Sequence, residues 1–224
     1  FATNRKIGDM TYDQRKAAYK WVNDHFTVIS NKQVYSYGDI IIFLEKILRQ
    51  QEVDAVFVDP YNSLKLDMGT TNKSSHEYHS DAASEFLTFS TANNVAVWLN
   101  MHAFSEAQRR KGEDGLPTAP YAEDTEGGGK FVNRADCFIT IHRKVQHPDH
   151  SQRRITEFHV RKVRDVETGG QPTGLDDPIR LEMNTSRTGF RVWPKQNLLF
   201  EAVQLEGGEQ DVINFPINTS FLQE

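Results

Sequence analysis

The chain has 224 residues and a hydrophobic fraction of 38%, which is enough to enclose the core of one domain without disulfides. Its single cysteine, Cys137, excludes an internal disulfide and suits a reducing compartment. No apolar run is long enough to span a bilayer, and neither a basic region nor an apolar stretch follows Phe1, so we expect an intracellular protein without a signal peptide.

Charge is unevenly distributed along the chain, whose net charge is -5. Residues 103–164 contain 12 Lys or Arg against 9 Asp or Glu, so this segment is basic although the rest is acidic. Attraction to phosphate depends on the local surface rather than on the total charge. The central segment could therefore meet a nucleic-acid backbone, and a solvated surface of mixed charge is the alternative.

The chain begins with a predicted alternation of helices and strands. Thr11 is expected to cap a helix that extends to Asp24, and residues 26–29 are expected to form a short strand. Asp39 is expected to cap a second helix, which ends near Arg49, where a cation suits the helix dipole.

Two apolar runs, 53–58 and 95–101, predict strands that are buried on both faces of a parallel sheet. A loop over 68–75 and a helix over 76–92 separate them. Parallel strands need such a crossover connection, so these segments predict one β-α-β unit.

The second half is rich in predicted strands, and these include antiparallel ones. They cover residues 137–142, 155–163, 179–183 and 190–193. The preceding stretch, 103–128, is polar and rich in Gly and Pro, and it is too long for an ordinary connector, which indicates a functional or a disordered loop. We therefore expect one domain over 1–193 and an acidic tail over 194–224.

Charged side chains follow or lie on the predicted strands. Asp59 and His102 come after the two parallel strands, where ligands bind in open α/β sheets, so they could face one cleft. An Asp that ends an apolar strand is typical of a Walker B carboxylate, and a helix cap or turn residue is the alternative. Lys162 and Arg164 occupy alternate positions of one strand region, so both point to one side, where they could clamp phosphate or form an ordinary surface pair.

Two other patterns do not carry a site. The segment 127–130, Gly-Gly-Gly-Lys, is not a phosphate-binding loop, because Asp124 stands where that motif needs Gly and Phe131 where it needs Ser or Thr. No other segment fits that motif. Two histidine pairs have a spacing at which metal ligands occur, but without a cysteine cluster a structural metal is not favoured. These pairs are His76 with His79 and His147 with His150.

Five segments, in the order in which they occur, resemble the DnaB-like replicative helicases, most closely the Twinkle and phage primase-helicase branch. They are MTYDQRKAAYKWVNDHFTVI, VDAVFVDPYNSL, VAVWLNMHAF, DTEGGGKFVNRADCFITIHRK and FHVRKVRDVETG. The likeness covers about residues 5–193. It implies an α/β fold, a RecA-like three-layer sandwich with a mostly parallel sheet and an antiparallel, strand-rich C-terminal part. The phosphate-binding loop and the catalytic glutamate of such a domain would lie upstream of Phe1.

The resemblance also implies ATP and Mg²⁺ as cofactors. Asp59 would hold the magnesium, often through water, and Asn62 would lie at the nucleotide. His102 would sense the γ-phosphate. Lys162 and Arg164 would reach into the ATP site of an adjacent subunit, Arg164 as an arginine finger that accelerates turnover by about 10³ or more in related systems.

The implied enzyme is a DNA helicase whose ring, typically hexameric, hydrolyses ATP, moves along single-stranded DNA and unwinds duplex; this segment alone would be inactive. A primase domain or protein is a further expected partner. The loops 64–75 and 103–126 would face the channel of the ring, and the candidate DNA-backbone contacts are Lys73, Arg109, Arg110, Lys111 and Lys130. Two alternatives stay open: a RecA-like recombinase that does not unwind DNA, and a catalytically inactive binding or assembly module.

Overall fold

The computed structural model describes residues 10–29, 33, 35–67, 73–174, 176–183 and 189–193, so the predicted tail over 194–224 lies outside the described residues. The helices of this part are α1 (Tyr12–His25), α2 (Tyr37–Leu48), α3 (Ser75–Asn93), α4 (Gly128–Arg134) and α5 (Val166–Gly169). The strands are β1 (Ala55–Val58), β2 (Ala96–Leu99), β3 (Cys137–His142), β4 (Ile155–Val163), β5 (Ile179–Met183) and β6 (Phe190–Val192). No helix among the described residues is both long and apolar enough to cross a bilayer.

Reciprocal side-chain caps begin the first two helices. Thr11 caps α1 as predicted, and Gln14 completes the capping box. The predicted cap of α2, Asp39, is wrong by three residues. The Ser36 side chain accepts a hydrogen bond from the Asp39 N–H, and the Asp39 carboxylate accepts one from the Ser36 N–H, so Ser36 is the cap and Asp39 completes the box.

The predicted strand over 26–29 is not formed. Phe26 and Val28 are 57% and 86% exposed, and no strand in the described ranges pairs with this segment. The preceding helix α1 has no buried residue either. A strand is stable only when a neighbour accepts its backbone hydrogen bonds, so an apolar segment without such a neighbour stays irregular.

A parallel pair of strands confirms the predicted β-α-β unit. β1 and β2 are paired in parallel, with Val58 opposite Leu99, and α3 connects them. Helices α2 and α3 cover one face of the pair, and the main core forms there. It includes Ile40, Leu44, Val56, Val58, Ala82, Phe86 and Phe89.

The opposite face of this pair is open, so the prediction of strands buried on both faces is wrong. Phe57 and Trp98 are 64% and 49% exposed, and their rings stack on each other with centroids 5.9 Å apart. Alternate residues of a strand point to opposite faces, and in the described part helices cover only one of them. The described residues therefore show a parallel pair with helices on one side, and not the three layers of the predicted sandwich.

The larger sheet is antiparallel, with the strand order β3-β4-β5-β6. Each strand pairs with the next one along the chain, and the connections between them contain no long crossover helix, so successive strands must run in opposite directions. The expected strand-rich second half is thus confirmed, whereas a mostly parallel sheet is not found in the described residues. The fold is mixed α/β.

The long segment before β3 is ordered. It contains 3-10 turns at Ser105–Arg109 and Ala122–Asp124, and a backbone bridge joins Ala103 to Thr125. The Thr140 hydroxyl of β3 donates a hydrogen bond to the Pro120 carbonyl (3.1 Å), so the segment lies against the antiparallel sheet. It leads into α4, a helix that the sequence patterns did not predict.

Candidate functional site

Asp59 and His102 come to one edge of the parallel pair. Beyond the pairing of Val58 with Leu99, the ladder continues through a hydrogen bond from the Asn100 N–H to the Val58 carbonyl (2.9 Å). Both functional side chains are exposed. In the described part of the chain, neither the Asp59 carboxylate nor the His102 ring makes a hydrogen bond or an ion pair. The carboxylate and the imidazole are therefore available to a ligand.

Asn62 joins the two segments that follow the strands. Its side-chain oxygen accepts a hydrogen bond from the backbone N–H of His102 (2.7 Å). The Tyr61 N–H donates to the Asn100 carbonyl (2.8 Å), so the turn after β1 is held against the end of β2. These bonds set the backbone positions of Asp59 and His102, and within the described residues the Asn62 amide nitrogen makes no hydrogen bond.

The residues at this edge fit a magnesium ion that arrives with a nucleotide. Where the structure is described, no three His, Cys, Asp or Glu side chains group together as metal ligands, and the two predicted histidine pairs form no such group. Mg²⁺ keeps several waters and binds through one or two carboxylates together with phosphate oxygens. Asp59 suits this mode because its carboxylate is exposed and unpaired.

A buried polar chain lies next to this edge and was missed by the sequence patterns. His79 of α3 is 2% exposed, and its Nδ1 is 2.8 Å from the Tyr61 hydroxyl. Its Nε2 is 3.3 Å from Oε1 of Glu126, although the angle lies outside hydrogen-bonding geometry. The signal in the sequence was a histidine on the apolar face of α3, among Tyr78, Ala82 and other buried residues.

Lys162 and Arg164 hold the carboxyl end of α4. The Lys162 ammonium donates hydrogen bonds to the carbonyls of Val132 (2.7 Å) and Asn133 (3.3 Å), and the Arg164 guanidinium donates to the carbonyl of Arg134. The last carbonyls of a helix lack partners within the helix and carry partial negative charge, so cations bind them favourably. The alternation of the two residues along β4 thus brings both to one helix end.

Arg164 lies at the surface. Its guanidinium forms an ion pair with Asp136 (2.7 Å), and the two side chains are 45% and 69% exposed. The Arg164 N–H also donates to the Asp136 carbonyl (2.7 Å), so the backbone of this residue is fixed while its side chain faces solvent. A second molecule could reach the guanidinium here.

The five candidate DNA contacts differ in how free they are. Lys73 pairs with Asp81 (2.6 Å), and Arg110 pairs with Asp124. The Arg110 guanidinium holds the pKa of the Asp124 carboxyl below its usual range. Both pairs reduce the positive potential of these cations. The remaining three candidates form no ion pair in the described ranges; they are Arg109 and Lys111, which are exposed, and Lys130, which is half-buried.

Comparison with known proteins finds a distant sequence relative. The chain is 27% identical over 169 residues to the "Twinkle homolog protein, chloroplastic/mitochondrial" of Arabidopsis thaliana. The match covers 74% of this chain and 22% of the relative, so the chain spans about a fifth of that protein. No protein-family model matches the chain.

Two solved structures share the fold. The first, a helicase ATPase domain, matches with a TM-score of 0.61 and 17% identity, over 80% of this chain and 59% of that one. The second, a DnaB-like replicative helicase solved to show its interactions with primase, matches with a TM-score of 0.63 and 16% identity, over 84% of this chain and 42% of that one.

Proposed function

We propose that this chain, which has the fold of DnaB-like helicase ATPase domains and is a distant relative of a Twinkle homolog protein, belongs to an ATP-driven DNA helicase motor. The observation that carries the proposal is the free carboxylate of Asp59 beside the free imidazole of His102, at the edge where α/β sheets bind ligands. The motor moves along single-stranded DNA and unwinds duplex.

Asp59 holds the magnesium of bound ATP in this proposal. The ion, when bound, neutralises negative charge on the phosphates during phosphoryl transfer. Asn62 keeps the two strand ends together through the His102 N–H, and its free amide group faces the same edge as a donor to the nucleotide. A carboxylate and a donor fixed in this way lose little entropy when the ligand binds.

His102 is placed to connect the γ-phosphate with the segment over 103–126. Ala103, the next residue, is bridged to Thr125, and the Phe104 N–H donates to the Asp124 carbonyl (2.7 Å). A movement of the histidine backbone would therefore shift both ends of a segment that contains three of the candidate DNA contacts, Arg109, Arg110 and Lys111. Such a link would convert loss of the γ-phosphate into a step along DNA.

Arg164 acts on the ATP bound by an adjacent subunit. An exposed ion pair such as the one with Asp136 contributes about 1 kcal/mol or less, so the guanidinium can leave it at little cost. An arginine supplied in trans accelerates phosphoryl transfer by about 10³ or more, which is several times that free energy. Lys162 supports the same position from α4. The proposal therefore requires a homo-oligomeric ring, six-membered as the resemblance implies.

DNA contacts come from the loops that face the centre of the ring. Lys73, Arg109, Arg110, Lys111 and Lys130 are the proposed contacts. Phosphate contacts are independent of base sequence, as movement along any strand demands, and they weaken as salt rises. A primase domain or protein is the proposed further partner, because one of the structures that share the fold is described with primase.

The decisive test is complementation between two inactive variants of the complete gene product, Asp59→Asn and Arg164→Ala. Each alone should lose ATP turnover, since every site lacks either the magnesium ligand or the finger. In rings mixed 1:1, about one quarter of the subunit interfaces combine an intact Asp59 with an intact Arg164 of the neighbour, so DNA-stimulated turnover should return to roughly that fraction.

Matched controls are Asp13→Asn and Arg15→Ala, two exposed residues of α1 that should leave turnover unchanged. Strand displacement by the wild-type protein, with ATP and a forked DNA duplex, tests unwinding. Mixed rings without any recovered turnover would refute the trans role of Arg164, and turnover by Asp59→Asn alone would refute the role of Asp59.

A further inference from the structure

We propose that His79 is a positioning residue, which fixes the turn over 126–128 against the turn after β1 and thereby sets the place of α4 and of the two cations at its carboxyl end. The inference rests on the proposed function, since it explains how the magnesium edge and the trans-acting cations of one subunit keep a fixed geometry. No role in the family resemblance is assigned to this histidine.

The first contact ties His79 to the strand end that carries Asp59. Tyr61, two residues after Asp59, is 3% exposed, and its hydroxyl lies 2.8 Å from Nδ1 of His79. Burial raises the pKa of the Tyr61 hydroxyl above its usual range, so the hydroxyl keeps its proton and can donate it to Nδ1. A neutral imidazole then carries its hydrogen on Nε2.

The second contact directs that hydrogen at Glu126. Oε1 of the carboxylate is 3.3 Å from Nε2, but among the described residues Nε2 has no aligned hydrogen-bond partner. A ring that is 2% exposed has little access to water, so an unpaired N–H there is unfavourable. Glu126 is 34% exposed and borders a cavity of about 80 Å³ next to His79, so a small rotation of its side chain would align the bond.

The third contact is steric and involves the glycine turn itself. Gly127 has a φ of 66°, and a Cβ on it would lie 2.6 Å from Cβ of His79. The backbone of the turn therefore rests directly on the histidine. Phe131, one turn into α4, packs its ring edge-on against Tyr61 with centroids 4.7 Å apart. His79 thus touches both the backbone before α4 and the tyrosine that supports α4.

The helix transmits this placement to the cations. α4 has seven residues and a length of roughly 10 Å, and it begins at Gly128, next to the turn on His79. Its last carbonyls bind Lys162 and Arg164. A short helix held at both ends moves as one body, so a displaced turn at 126–128 would displace Arg164.

The test uses His79→Phe, which keeps a planar ring and removes both nitrogens, and His79→Gln, which restores an amide near the position of Nε2. In the complete gene product, His79→Phe should lower kcat for ATP about 10- to 100-fold with KM changed by less than about 2-fold, because a misplaced finger affects the transition state and not ATP binding. His79→Gln should recover part of kcat. His76→Phe, on the exposed side of the same helix, is the matched control.

Mixed rings separate positioning from a general defect. With Arg164→Ala subunits, which need a neighbour's arginine, His79→Phe subunits should restore much less turnover than wild-type subunits. Hydrogen exchange of the Ala135 N–H, which is bonded to the Phe131 carbonyl (2.8 Å), should be faster by about 10-fold or more in His79→Phe and unchanged in His76→Phe.

The outcomes distinguish this inference from the proposed function. Equal rescue by His79→Phe and wild-type subunits, or unchanged exchange at Ala135, would overturn the role of His79 while the motor function stands. Absence of ATP turnover in the wild-type gene product would refute the motor function, and the exchange of Ala135 would still decide the contact. If His79→Phe fails to fold, Tyr61→Phe and Glu126→Gln each remove one partner and should give the same changes in smaller measure.

Discussion

Three consecutive glycines before α4 should respond to alanine in three different ways. A methyl group on Gly128 would lie 1.6 Å from the carbonyl oxygen of Ala122. Carbon and oxygen in contact stay about 3.3 Å apart, so the turn would have to move by roughly 1.7 Å. Forced overpacking of this kind costs about 3 kcal/mol or more, and we expect Gly128→Ala to lower the free energy of unfolding by at least that amount.

The neighbouring positions predict a graded series. Gly127→Ala combines a left-handed backbone, which costs about 1–2 kcal/mol for alanine, with the contact of 2.6 Å to His79, so we expect a loss of about 2–4 kcal/mol. Gly129 lies within α4, and a methyl group on it would meet no atom within 4 Å, so Gly129→Ala should raise stability by about 0.5–1 kcal/mol.

Urea unfolding followed by circular dichroism measures the series, with the midpoint and the slope fitted for each variant. Equal midpoints for the three variants would refute the close packing of this turn. A Gly129→Ala variant as unstable as Gly128→Ala would show that α4 does not begin at residue 128. The slope should stay constant, because the substitutions alter the native state and not the surface that unfolding exposes.

Three further predictions concern single contacts. Asn62→Ala removes the acceptor of the His102 N–H, so it should cost about 1 kcal/mol and speed hydrogen exchange of that amide. Burial lowers the pKa of His142 below its ordinary 6.5, so the unfolded chain binds the extra proton and stability falls as pH drops below 6.5. His142→Gln should therefore reduce the difference in urea midpoint between about pH 7.5 and about pH 5.5; an unchanged difference would contradict it. Lys162→Met leaves two carbonyls of α4 without their cation and should cost about 1 kcal/mol by the same urea assay, with wild-type stability refuting the cap.

Patterns within short segments predicted much of the fold. The capping sequence at Thr11 and the apolar runs before Asp59 and before His102 depend only on neighbouring residues, so α1 and the β-α-β unit could be read from the chain. The same local reading failed for residues 26–29 and for Phe57. Apolar character shows that a strand is possible, whereas its pairing and its covered faces depend on which distant segments lie beside it.

The amino-acid sequence by itself determined which groups could do the chemistry: an acid and a histidine after two parallel strands, and two cations on alternate positions of a third. Only the tertiary structure decided what holds these groups in place. The contacts of His79 with Tyr61 and Glu126 join residues that are 18 and 47 positions apart, and Lys162 reaches a helix end 30 positions earlier. Such contacts arise from chain folding and have no period along the sequence, because the polar atoms of a buried side chain take whichever partners the packed core brings within reach.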